Sequence, residues 1–275
     1  MKYLMPIVAV FFFASCRNEG VKKQEQPIIE NQTKVDTLDM KYEIHEVKTL
    51  ENGIEISWVE KGKGELLKDG DVVQIDFKVR LVDSTIIDGN HLLNKESLPY
   101  IIGFDMQPAG WDLSLKQMRV GDFAYVKIPS KLVRGKKGIN GLVPNDADNY
   151  LAIRVLSREK PSREVDGNKV WIFEQSKKGK EKFNEDNTII FHAMASSHSS
   201  PLYFNSYRTN TPFQLKLEDN GVVPGLKKAL INAKKGDRMF VLIPSDQAYG
   251  AKGYLDIVKP NEDLFFNVFV MDVFK

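Results

Sequence analysis

The 275-residue sequence predicts an α+β protein with two similar domains in tandem, each an antiparallel sheet that buries one short helix. Three observations carry this. First, glycines and prolines recur at one offset: Gly110 and Gly225 differ by 115, as do Gly121 and Gly236, Pro129 and Pro244, Gly135 and Gly250, and Gly138 and Gly253. A domain-sized period marks a duplication and not a solenoid. Second, Val73, Ile75, Phe77, Val79 and Leu81 alternate with polar residues, the period-two pattern of a half-buried strand. Third, each copy has one short helical stretch. Trp111, Leu115 and Met118 share a helix face in the first copy, and Leu226, Leu230 and Ala233 do so in the second.

The rest of each copy follows in the same order. Gly121 and Gly236 come after the helices and can supply a left-handed exit. Val120-Gly121-Asp122 is echoed by Lys235-Gly236-Asp237, and Ile128-Pro129-Ser130 by Ile243-Pro244-Ser245. Strands are expected at 124–128 and 239–243. A glycine-rich loop follows each, and closing strands lie at 150–156 and 264–270. The charged stretch 157–168, with Pro161 and Gly167, separates the copies. The folded domains are placed at 43–160 and 167–275.

Ahead of them, Lys2 precedes an apolar run from Leu4 to Ala14, too short to span a bilayer as a helix. Residues 1–15 read as a secretory signal. Phe13-Ala14-Ser15-Cys16 resembles a bacterial lipobox, which implies that Cys16 is lipidated and becomes the mature N-terminus; the other reading is an ordinary signal peptide followed by an unused cysteine. Residues 16–42 then form the lipidated cysteine and a polar, flexible tether. The expected location is the periplasmic face of a bacterial membrane, the outer one favoured, with the bilayer itself as a partner.

Composition removes several classes of function. Lys plus Arg is 39 and Asp plus Glu 37, so the charge gives no reason to expect nucleic acid. One cysteine excludes a disulfide framework within the chain. There is no phosphate-binding loop. His192 and His198 lack further ligands, so no metal is expected and they read as surface histidines. Ser157 and Lys160 have acyl-transferase spacing but none of the accompanying motifs.

Gly221-Val222-Val223-Pro224-Gly225-Leu226, then Gly236-Asp237, then Ile243-Pro244-Ser245-Asp246-Gln247-Ala248-Tyr249-Gly250 resemble the FKBP family of peptidyl-prolyl isomerases, over about 54–157 and 169–275. The resemblance implies a five-stranded antiparallel sheet wrapped around the short helix in each domain, with an aromatic-lined pocket between them and no cofactor. In the second copy it assigns Tyr249, Phe204, Phe213, Val222, Val223, Leu226 and Phe266 to catalysis, and Asn205, Tyr254, Ile257 and Val258 to substrate binding. Leu226 stands where many members have tryptophan, Asn205 where aspartate is usual, and either Ala193 or Met194 where a first-strand aromatic is expected. The first copy keeps Phe77, Asp88 and Trp111 as substrate-binding candidates, with Ile87, Leu142 and Val143. It has Arg134 for the pocket tyrosine, Leu151 and Leu98 for two aromatics, and Gln107-Pro108 for an apolar pair.

These residues also have plainer readings. Trp111 and Leu226 suit a core whether or not anything binds. Asp88 suits a turn cap as well as a pocket. Tyr249, in a glycine-flanked loop, is not needed for packing. The implied activity is isomerisation of X–Pro bonds in proline-containing segments of exported proteins. The alternative is a binding or chaperone module that has kept the fold and lost most catalysis.

Overall fold

The computed structural model of the protein describes residues 42–175 and 179–275, so the expectations for Cys16 and for most of the tether lie outside the described residues. Two seven-stranded antiparallel sheets succeed one another along the chain. The first contains β1 (Glu46–Thr49), β2 (Glu55–Glu60), β3 (Val72–Arg80), β4 (Ile86–Gly89), β5 (Leu98–Ile101), β6 (Phe123–Ile128) and β7 (Asn149–Glu159), with helix α1 (Gly110–Leu115) between β5 and β6. Its order is β1-β2-β6-β7-β3-β4, and β5 also pairs with β3. The second contains β8 (Arg163–Val165), β9 (Asn168–Glu174), β10 (Thr188–Ser196), β11 (Phe204–Asn205), β12 (Phe213–Leu215), β13 (Arg238–Ile243) and β14 (Leu264–Phe274), with α2 (Pro224–Leu230) before β13. Its order, β11-β10-β14-β13-β9-β8 with β12 on β10, repeats the first.

Each sheet therefore has seven strands where five were expected. An outer hairpin arm, β1 or β8, lengthens one edge. The long strand at the other side, β3 or β10, is met by two short strands in succession. The second sheet begins at Arg163 and not at 167, and β7 runs on to Glu159, leaving three residues between the lobes.

The repeated glycines have physical causes. A Cβ on Gly110 would lie 2.3 Å from a methyl of Ile128, and one on Gly225 would lie 2.4 Å from the same atom of Ile243. Each helix thus starts pressed against the strand that follows it. Gly121 and Gly236 have φ of +90° and +89°, which only glycine adopts freely. Each donates its N–H to the closing strand at 2.8 Å, to Val155 O and Val270 O.

Inside each lobe the helix and one sheet face make the core. In the first, alternation along β3 buries Val73, Ile75, Phe77 and Val79 against Trp111 and Leu115. In the second, Met239, Val241 and Ile243 of β13 face Leu226 and Leu230. The other face of β13 is not left to water. Phe240 and Leu242, with Trp171 of β9 and Phe265 of β14, pack against Val72, Ile101 and Phe104 of the first lobe. Rings run through this interface: Phe173 to Phe240 at 4.9 Å, Phe240 to Phe265 at 4.9 Å, and Phe265 to Phe104 at 5.7 Å. A strand covered on both faces reads as a continuous apolar run, which Met239–Ile243 is. The joint between lobes is pinned as well. Trp171 Nε1 donates to Glu159 O at 3.0 Å, and Ile172 N to Ser162 Oγ at 2.9 Å.

His192 is buried and not on the surface. Its ring stacks on Tyr207 at 4.4 Å, its Nδ1 lies 2.9 Å from Ser206 Oγ, and burial lowers its pKa. It serves to close the β10–β11 hairpin.

One buried cluster makes stability depend on pH. At the start of α1, Asp112 accepts the Tyr100 hydroxyl and the Asp105 N–H, both at 2.9 Å. Burial raises both carboxyls, and Asp105, which also faces Asp112, is pushed up to about 6. Between about pH 4, where an unfolded aspartate ionises, and pH 6, the folded chain keeps a proton that the unfolded chain has released. Stability from this group is therefore present at low pH and falls as pH rises through that window. Asp105→Asn should flatten this slope and raise stability at neutral pH. Urea unfolding of both proteins across the window checks it; an unchanged slope would refute the assignment.

Candidate active site

The second lobe's candidate site lies where α2 packs on the sheet. Leu226 lies at its floor, 1% exposed, with Val223, Val258 and Phe266 as buried walls. Tyr203, Phe204, Phe213, Val222, Tyr249 and Ile257 are half-buried around them and form the rim. Phe213 anchors one side, 5.2 Å from Phe191 and 4.9 Å from Phe204. Tyr249 stacks on Tyr254 at 4.7 Å on the other side.

The loop that presents Tyr249 is held by its backbone. Ser245 N donates to Asp263 Oδ1 at 2.9 Å, Asn261 N to Gly250 O at 2.9 Å, and Tyr254 N to Val258 O at 2.8 Å. Gly250 and Gly253 have φ of +57° and +65°, and a Cβ on Gly253 would lie 2.4 Å from Val258 O. Burial, and the neighbouring Tyr254, raise the Tyr249 pKa, so its hydroxyl stays protonated and can donate. Tyr203 is raised too, by burial and then by Tyr249 and Tyr254. A second donor comes from the backbone. Val223 is extended, with Pro224 as first helical residue, and among the described residues no group accepts the Val223 N–H.

The first lobe copies this backbone and not its chemistry. Ser130 N to Asp148 Oδ1, Asp146 N to Gly135 O and Ile139 N to Val143 O repeat the loop bonds at 2.8, 2.9 and 2.8 Å. At its tip stands Arg134, whose backbone matches that of Tyr249 (φ −111° against −101°). The guanidinium is half-buried, which lowers its pKa, and it feels the Asp88 carboxylate, which burial raises. Pro108 stands where the second lobe has Val223, so the first lobe has no N–H there. The floor differs as well. Phe77 and Trp111 meet edge to face at 5.0 Å, and Tyr100 stacks on Trp111 at 6.2 Å.

Four assignments change in consequence. Phe77 and Trp111, 3% and 2% exposed, pack edge to face and fill the floor of the first lobe. Asn205 Oδ1 accepts the Tyr207 N–H at 2.9 Å, the bond of a residue holding its own turn. Tyr254 is 43% exposed and backs Tyr249 from outside. Of the two first-strand candidates, Ala193 faces the core and Met194 the opposite side. Asp88 sits beside Arg134 and accepts the N–H of Gly89 at 2.7 Å. The sequence reading missed Tyr203 and Phe191. A tyrosine directly before a pocket phenylalanine was the available signal for the first, and the alternation two residues before Ala193 for the second.

The family model described as FKBP-type peptidyl-prolyl cis-trans isomerase matches residues 63–156 and 179–271. Human peptidyl-prolyl cis-trans isomerase FKBP10 is 25% identical over 207 residues, which cover 75% of this chain and 35% of that protein. Escherichia coli (strain K12) FkpA is 30% identical over 135 residues, 49% of each chain. Both relatives are thus matched over half their length or less. Among solved structures, FkpA from Escherichia coli aligns at 32% identity and a TM-score of 0.37, covering 41% of this chain and 51% of that one. The three FKBP domains of wheat FKBP73 align at 22% identity and a TM-score of 0.40, covering 84% and 99%.

Tyr249→Phe keeps the ring and removes the hydroxyl. Binding of a proline peptide should weaken by about 0.5–1.5 kcal/mol, one hydrogen bond's net worth, with the fold unchanged. Titration calorimetry on the two proteins reads this directly, and equal affinities would remove the hydroxyl from the site.

Proposed function

Because the chain belongs to the FKBP-type peptidyl-prolyl cis-trans isomerase family, we propose that its second lobe catalyses rotation about X–Pro peptide bonds and so assists the folding of exported proteins. The observation that carries this is an apolar cluster edged by half-buried rings, beside which the Tyr249 hydroxyl and the Val223 N–H can donate. A planar X–Pro amide is held by resonance behind a barrier of about 18–20 kcal/mol. At the twisted transition state that resonance is gone and the C–N bond is less polar. A dry wall of Phe213, Phe204 and Phe266 suits the twisted form better than the planar one, and only such a difference accelerates the reaction. The Tyr249 hydroxyl holds one substrate carbonyl and the Val223 amide another. No proton is transferred, so no acid, base or nucleophile is needed.

The first lobe fits the alternative reading, a module that has kept the fold without the chemistry. Arg134 brings a charge to the mouth, Pro108 removes the backbone donor, and Phe77 and Trp111 occupy the floor. An always-charged guanidinium in an apolar cleft holds water and opposes the dry environment on which the rate depends.

We further propose that the protein is held by lipid on Cys16 at the outer membrane and faces the periplasm, where its clients would be proline-containing segments of proteins in transit. The support is the sequence from Lys2 to Cys16 alone.

Two measurements test these readings. In a proline-peptide isomerisation assay on the chain with both lobes, Tyr249→Ala should lower kcat/KM about tenfold, equivalent to about 1.4 kcal/mol of transition-state stabilisation. Arg134→Ala should leave the rate within about twofold. A wild-type chain that gives no acceleration, or an equal loss in both variants, would overturn the assignment to the second lobe. For the anchor, Cys16→Ala should abolish fatty-acid labelling and move the protein to the soluble fraction; labelling that persists refutes it.

A further inference from the structure

We infer that His198 is a positioning residue through which the first lobe holds the rim of the second lobe's candidate site. This rests on the reading of that site as the isomerase active site. Seven residues, 197–203, join β10 to β11 and end on Tyr203, next to Phe204. They are tied in two directions. Ser197 Oγ and Ser199 Oγ both donate to Glu262 Oε2 at 2.7 Å, which fastens the segment to the 259–263 loop behind Ile257 and Val258. His198, between them, turns the other way. Its ring stacks on Phe104 of the first lobe at 4.4 Å and 29°. Its Nδ1 lies 2.8 Å from the carbonyl oxygen of Gly103, so that nitrogen carries the proton and donates. Further along, Leu202 has φ +50°, a turn conformation that a leucine keeps only when both ends are held.

The lobes do not need His198 to stay together. Phe104, Phe240, Leu242, Phe265 and Trp171 are buried at the interface, whereas His198 is exposed at its margin. Losing its ring removes little apolar burial from the joint. It removes the hydrogen bond to Gly103 O that ties the 197–203 segment to the first lobe. Freed there, the segment swings about the two serines, and the Tyr203 and Phe204 rings that it carries lose their fixed place on the rim. Substrate then binds a rim that is assembled for a smaller fraction of the time, which raises KM and spares kcat.

The experiment uses the chain with both lobes. In His198→Ala, amide hydrogen exchange over 199–205 should quicken about tenfold while β3 and β13 keep their protection. KM for a proline peptide should rise about threefold, with kcat within about twofold of wild type. His198→Phe restores the ring stack and should bring both readings at least halfway back. Unchanged exchange over 199–205 in His198→Ala overturns the inference, and so does faster exchange with KM unmoved. A wild-type chain without isomerase activity sinks the proposed function, and the exchange arm then still decides whether His198 holds the segment.

Discussion

Phe240, Leu242 and Phe265 point away from the helix of their own lobe, and much of the molecule is arranged around where they go. An isolated sheet of this kind packs one face on its helix and wets the other. Here the second face carries aromatic rings that would cost solubility and stability if left in water. The first lobe covers them with Val72, Ile101 and Phe104. That requirement explains the short joint between β7 and β8 and the hydrogen bonds that pin it. It also explains why the first lobe, with Arg134 in place of the loop tyrosine, retains a complete core.

With the two copies docked in this way, they have diverged by moving aromatic volume. In the first, bulk sits at the floor: Phe77, Tyr100 and Trp111 fill the space under the helix. In the second, the floor positions are Ala193, Leu215 and Leu226, and the rings have moved to the wall and rim as Phe191, Phe213, Phe204 and Phe266. Both arrangements bury enough to fold, because packing accepts apolar volume in either place. Only the second keeps half-buried rings, Phe204 and Phe213, at the edge of its core. The loops above them keep the same hydrogen bonds while their tips differ, so backbone and chemistry have been set independently.

Much of this was legible in the residues. The offset between Gly110 and Gly225 located both helices, and the alternation from Val73 to Leu81 gave the strand that faces them. Tyr249, Phe204 and Phe213 were assigned from resemblance, and all three pack against one apolar cluster. What could not be read has physical reasons. Period-two alternation reports one buried face, so the unbroken run Met239–Ile243 signalled a second burial without naming its partner. Trp111 and Phe77 resemble pocket residues because a core ring and a pocket ring have the same sequence position; only packing separates them. His192 seemed a surface residue because its partners, Ser206 and Tyr207, arrive from across a hairpin whose register the sequence does not state. The hydrogen bond missing at Pro108 was visible as a residue type, yet its meaning required the extended Val223 beside it in the other copy.

The ring-lined seam between lobes bears on what happens when the chain is damaged. A protease that did cut the joint at 160–162 would break the one covalent link between the two sheets. Such a nick would sever one covalent bond while Trp171, Phe240 and Phe265 remained clasped by Phe104 and its neighbours. The polypeptide would be in two pieces and the particle in one, with Tyr203 and Phe204 still held from across the seam.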